Sequence, residues 1–177
     1  MLPPLIITTI ALLVPLTVVI AYYDVRYRRI PNKLVLITLI SGIAINTFFG
    51  GLSGALSSLG GLALALGLML VPHVLGTMGA GDVKLFAAIG AVLGLPMVIP
   101  AFIAVVLTGG ALALYTMIRS GTVFSTLHGV IRIFVGLFPG WEMPRFTVPP
   151  DRRHTIPYGV AITIGTLVSL AFFGVRT

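Results

Sequence analysis

The sequence contains no cysteine. That excludes disulfides, thiolate zinc sites and a cysteine nucleophile. Charge is scarce too: 8% of residues are charged, where soluble domains carry roughly 25%. Acids are the scarcest, with four in 177 residues. The three histidines, His73, His128 and His154, show no repeated ligand spacing, so neither a metal site nor a cofactor is expected. No Lys or Arg precedes the first apolar run, and a cleaved signal peptide needs that basic start. The run is therefore expected to be a retained helix.

What is present is apolar. Hydrophobic residues make up 58% of the chain and the mean hydropathy is +1.14. A water-soluble fold of this size has too little interior to hide that surface, so the chain belongs in a lipid bilayer. Residues 5–23 form an unbroken apolar run that would reach about 28 Å as a helix, close to the hydrocarbon thickness. Pro15 is expected to kink it. Further runs cover 34–49, ended by Gly50-Gly51, and 55–75, rich in Gly and Ala. A shorter run at 83–95 precedes a turn expected at Pro96. Runs at 97–118 and 156–175 follow. The reading is an all-α polytopic membrane protein of about six helices, one domain over residues 1–177.

The net charge of +7 does not point to nucleic acid, because the basic residues cluster in the gaps between apolar runs. With the N-terminus on the non-cytoplasmic side, every Lys and Arg except Arg176 falls on or beside the cytoplasmic face. The reverse orientation violates the positive-inside rule. Residues 119–155 then form a cytoplasmic or interfacial loop. Within it, Phe124, Leu127, Ile131, Phe134, Val135 and Phe138 recur at helical spacing, as in a helix lying in the membrane interface. Gly90 and Gly94, and Ala63 and Gly67, are small-xxx-small pairs expected to pack helices closely.

Two of the four acids, Glu142 and Asp151, lie in that loop and need only solvation. Asp24 and Asp82 differ. Each abuts an apolar run, where an ionisable group is costly and usually functional. The topology, drawn from Lys and Arg alone, puts both at the cytoplasmic boundary. Two carboxylates at one depth suggest an aspartic dyad that shares a proton. One activates water, and the other hydrogen-bonds the scissile carbonyl and protonates the leaving amine. Asp82 opens a helix, where the dipole favours an anion, and Asp24 closes one. That makes Asp82 the base and Asp24 the acid, although Arg26, Arg28 and Arg29 favour an ionised Asp24. The plainer alternative for either Asp is a helix cap or a juxtamembrane charge. Gly79-Ala80-Gly81 before Asp82 weakens it, because glycines let a substrate backbone come close. Lys84 reads first as a topology charge and second as a local partner of Asp82, and His73 as a packed or hydrogen-bonded residue.

Gly79-Ala80-Gly81-Asp82-Val83-Lys84 resembles the GxGD motif of the type IV prepilin peptidases. Asp24 followed by a basic stretch and Ile30-Pro31-Asn32 resembles that family's other Asp motif. Pro157-Tyr158-Gly159 resembles a motif entering its last helix. The resemblance implies an aspartyl endopeptidase in the plasma (inner) membrane. It would cut the short basic leader from a prepilin or pseudopilin at the cytoplasmic face, with Asp24 and Asp82 as the catalytic pair. Gly79 and Gly81 would shape one loop; Ile30, Pro31 and Asn32 the other. Larger members carry paired Cys-x-x-Cys motifs and methylate the new N-terminus. This cysteine-free chain resembles the minimal form of Flp/tight-adherence pilus systems, for which methyl transfer is not expected. The alternatives are another GxGD protease, suggested by Tyr23-Asp24, a small transporter subunit binding ions at the two Asp, or a structural membrane subunit.

Overall fold

A computed structural model describes residues 4–76, 78–121 and 158–174. Every regular element among them is helical: α1 (Pro4–Tyr27), α2 (Asn32–Val74), α3 (Ala80–Leu93), α4 (Leu95–Ser120) and α5 (Tyr158–Ser169), whose end widens into a π-turn at Leu170–Gly174. The chain divides into two compact units, Met1–Gly109 with Pro157–Thr177, and Gly110–Ile156. Every residue of the site built below belongs to the first. Of the second, the described part is the end of α4 to Gly121. The loop expected over 119–155, with Glu142, Asp151, His128 and His154, lies otherwise outside the described residues.

Three helices, Pro4–Tyr27, Asn32–Val74 and Leu95–Arg119, are long and apolar enough to cross a membrane. The second is a hairpin. Gly51 interrupts it at φ 57°, ψ −139°, a left-handed conformation that glycine adopts at little cost. The two arms fold back together: Gly54 packs on the Asn46 carbonyl. Asn46 on the first arm and Ser58 on the second both donate to the Ala91 carbonyl, at 3.0 and 2.6 Å. In one straight helix those residues would stand about 18 Å apart. The expected runs at 34–49 and 55–75 are these two arms.

α3 lies between the arms. Every residue from Val83 to Leu93 except Lys84 is buried, as befits a helix that is apolar almost all round. Gly61 and Ala65 press on Gly90, and Gly42 on Val92, so backbones meet with almost no side chain between them. Of the two small-residue pairs, Gly90 and Gly94 make such contacts. Gly67 faces open space and Ala63 is exposed.

The last carbonyls of α3 have no partner within their own helix. Asn46 supplies one from outside: its Nδ2 donates to Ala91 and Val92, both at 3.0 Å, and to Gly42 at 3.1 Å. Gly94, at φ 73°, then turns the chain sharply into α4, and Ser57 Oγ accepts from the Leu95 amide. The turn expected at Pro96 is thus at Gly94. Pro96 falls in the first turn of α4, where a missing N–H costs nothing. Asn46→Leu leaves the Val92 carbonyl without this donor. It is expected to lower stability by about 1–2 kcal/mol, read as an earlier unfolding midpoint in detergent.

Candidate active site

The inner stripe of α1 is Thr9, Leu13, Thr17, Ile20 and Asp24, the spacing of one helix face. Asp24 continues that stripe. The helix runs one turn beyond it, further than the expected end at Tyr23, and stops at Arg28. Arg28 has φ 52° and donates its amide to the Asp24 carbonyl at 2.9 Å. Asp24 therefore faces the protein interior and is 8% exposed, although three arginines follow it within five residues. The Arg28 guanidinium is the cation whose field reaches its carboxyl.

α5 comes back against α1 at this level. The Gly159 amide donates to Asp24 Oδ2 at 2.8 Å. The fit leaves no room for a side chain: a Cβ on Gly159 would lie 2.7 Å from Asp24 Oδ2 and 3.0 Å from its Cβ and Cγ. One turn further on, Thr163 Oγ1 bridges the helices, donating to the Thr17 carbonyl at 3.1 Å and the Gly159 carbonyl at 2.8 Å.

Asp82 arrives on another element. Gly79 is the N-cap of α3, with φ −75° and ψ 148°, and its carbonyl accepts from the Asp82 and Val83 amides. Asp82 is the third residue of the helix, and its carboxyl accepts a hydrogen bond from the Gly79 amide. That is one half of a capping box, since Gly79 has no side chain to return the bond. A cap alone does not explain the setting. Asp82 lies outside the three candidate spans, yet it is half-buried, and its pKa is pushed up to about 6. Burial is the main cause and the Asp24 carboxylate the second; the Gly79 amide works the other way. Two acids within reach of each other's charge titrate as a unit. Burial and the neighbouring acid here oppose the helix-end effect that would make Asp82 the ionised partner.

The remaining motif residues divide. Ile30 packs on the α3 entry: a Cβ on Gly81 would lie 3.7 Å from the Ile30 side chain. Pro31 caps α2, and its carbonyl accepts from Leu34 and Val35 at 3.0 and 3.3 Å. Tyr158 is half-buried beside Gly109, while Asn32 and Lys84 are exposed. Pro157 lies outside the described residues. For Gly159, expected as a motif residue, and His73, expected as packed or hydrogen-bonded, the structure adds the partners: the Gly159 amide meets Asp24 and the His73 ring the Met78 carbonyl. A polar residue inside an apolar run was the available signal for the second.

Helices from three distant parts of the chain thus deliver two acids to one end of the bundle, one clamped by α5 and the other by the entry of α3. Residues 11–114 match the type IV leader peptidase family. The chain belongs to that family. Asp24, Ile30 to Asn32 and the Gly79–Lys84 motif fall within the match, and Gly159 beyond it. Over 165 residues the chain is 35% identical to the prepilin leader peptidase/N-methyltransferase of Bacillus subtilis (strain 168), covering 90% of this chain and 53% of that protein. This leader peptidase family member spans about half the length of that relative. No solved structure matches it.

Proposed function

We propose that this protein is a membrane-embedded aspartyl endopeptidase that removes the short basic leader of a prepilin or pseudopilin. The observation that carries the reading is the convergence of Asp24 and Asp82, each held by a backbone amide of a glycine, at one end of the helical bundle. Positioning before reaction is what an acid–base pair requires.

The chemistry follows from a pair sharing one proton. The ionised carboxyl takes a proton from water as the water oxygen attacks the scissile carbonyl carbon. The protonated carboxyl donates a hydrogen bond to the carbonyl oxygen. As the C–N bond breaks, the new amine takes a proton from the pair, which returns to its starting state. Asp24 and Asp82 are the catalytic residues in this reading. Gly159, Gly79 and Gly81 place them, and Ile30 supports Gly81.

The protein would lie in the plasma membrane with this end of the bundle at the cytoplasmic face, where its basic residues concentrate. Residues 119–155 would form a cytoplasmic or interfacial loop within one peptidase domain. A minimal Flp-type peptidase without methyltransferase activity fits the absence of cysteine. The test is co-expression in membranes with prepilin-like substrates that carry a basic leader before an apolar segment. Mass spectrometry should find the leader removed. Intact substrate across several such prepilins, with the protein accumulated in the membrane, contradicts the proposal.

A further inference from the structure

The loop that delivers Asp82 runs from the end of α2 at Val74 to Gly79. One residue ties it at two points. The His73 carbonyl accepts from the Gly76 amide at 2.9 Å, and His73 Nδ1 lies 2.9 Å from the Met78 carbonyl. A carbonyl only accepts, so Nδ1 must carry the proton. Gly76 makes the reversal possible with φ 75°. The ring is half-buried, and the loop's next residue is Gly79, the amide that holds the Asp82 carboxyl.

The geometry assigns His73 as a positioning residue: its Nδ1–H staples the Met78 carbonyl and so fixes the Gly79 amide that orients Asp82. This rests on the peptidase reading above. His73 touches neither the dyad nor, on this placement, the substrate. Its loss should lower kcat and leave KM unchanged, because the substrate still binds but meets a misplaced acid. The loss of one hydrogen bond of ordinary net strength corresponds to about a five- to tenfold fall.

The experiment pairs cleavage kinetics with a readout independent of cleavage. The parent has no cysteine, so Met78→Cys gives a single thiol at the stapled position. Its maleimide labelling rate in native membranes is compared in wild-type, His73→Leu, His73→Gln and His73→Asn backgrounds. Asn carries an amide N–H near the place of Nδ1; Gln carries it one bond further out and Leu has none. Labelling should be several-fold faster with Leu and Gln and stay near the parental rate with Asn. Without Met78→Cys, kcat should fall about five- to tenfold for Leu and Gln at constant KM, and Asn should recover most of it. If His73→Leu does not accumulate, His73→Gln carries the comparison. Unchanged labelling in both overturns the staple. Faster labelling with unchanged kcat, or a loss confined to KM, overturns the positioning role. If the parent cleaves no prepilin, the peptidase reading fails, and labelling still decides the staple by itself.

Discussion

Asp24→Asn and Asp82→Asn are each expected to lower kcat/KM for leader cleavage by about 1,000-fold or more, while each protein still accumulates in the membrane. The magnitude follows from what each acid does. General acid–base transfer contributes roughly 100- to 10,000-fold, and here one pair handles both the water proton and the leaving amine. The substitution spares the structure. Asn keeps the size of Asp, and its amide oxygen can still accept from Gly159 or Gly79, so neither clamp is lost. The proton chemistry goes because a carboxamide does not ionise. A structural subunit predicts no consequence for either variant, and an ion-binding subunit predicts lost transport with no peptide cleaved by any form.

The second large effect belongs to a residue with no side chain. Gly159→Ala is expected to reduce kcat by about 100-fold, the scale of a 1 Å misplacement at a reacting group. The added Cβ would stand 2.7 Å from Asp24 Oδ2 and 3.0 Å from Asp24 Cβ and Cγ, so the conflict reaches to the base of the Asp24 side chain. Either Asp24 moves or α5 backs away, and in both cases the 2.8 Å bond from the Gly159 amide is lost. Gly67→Ala is the control. It makes the same chemical change within a helix, but at a position with nothing within 4 Å, and should retain wild-type kcat. Equal activity in the two variants would remove Gly159 from the site.

The hairpin of α2 was legible because Gly50-Gly51 breaks an otherwise continuous apolar run. Asp24 was legible as an acid at the end of a span, and its burial follows from the spacing Thr9, Leu13, Thr17, Ile20, Asp24 on one helix face. The glycines before Asp82 marked the other half of the pair. The partners were not legible. The Gly159 amide meets Asp24 across 135 residues, and a backbone donor leaves no trace in residue type. Asn46 reads as one polar residue near the end of a span until α3 stops within reach of it. His73 reads as a packed or hydrogen-bonded histidine with no sign of which group it meets, because its partner is the Met78 carbonyl, a group that every residue carries. Helix ends were the least secure. α1 continues past Asp24 to Tyr27, and α4 begins at Leu95, ahead of the proline expected to mark the turn.

The central claim is that Asp24 and Asp82 work as one unit. The most direct test compares Asp24→Asn, Asp82→Asn and the double variant for leader cleavage in reconstituted membranes. Residues that share one chemical task are strongly non-additive. The predicted result is three similarly inactive proteins, with the double variant within about tenfold of either single one. A single variant that keeps more than about a tenth of wild-type kcat/KM, or a double variant whose loss is the product of the two, would contradict the shared-proton pair.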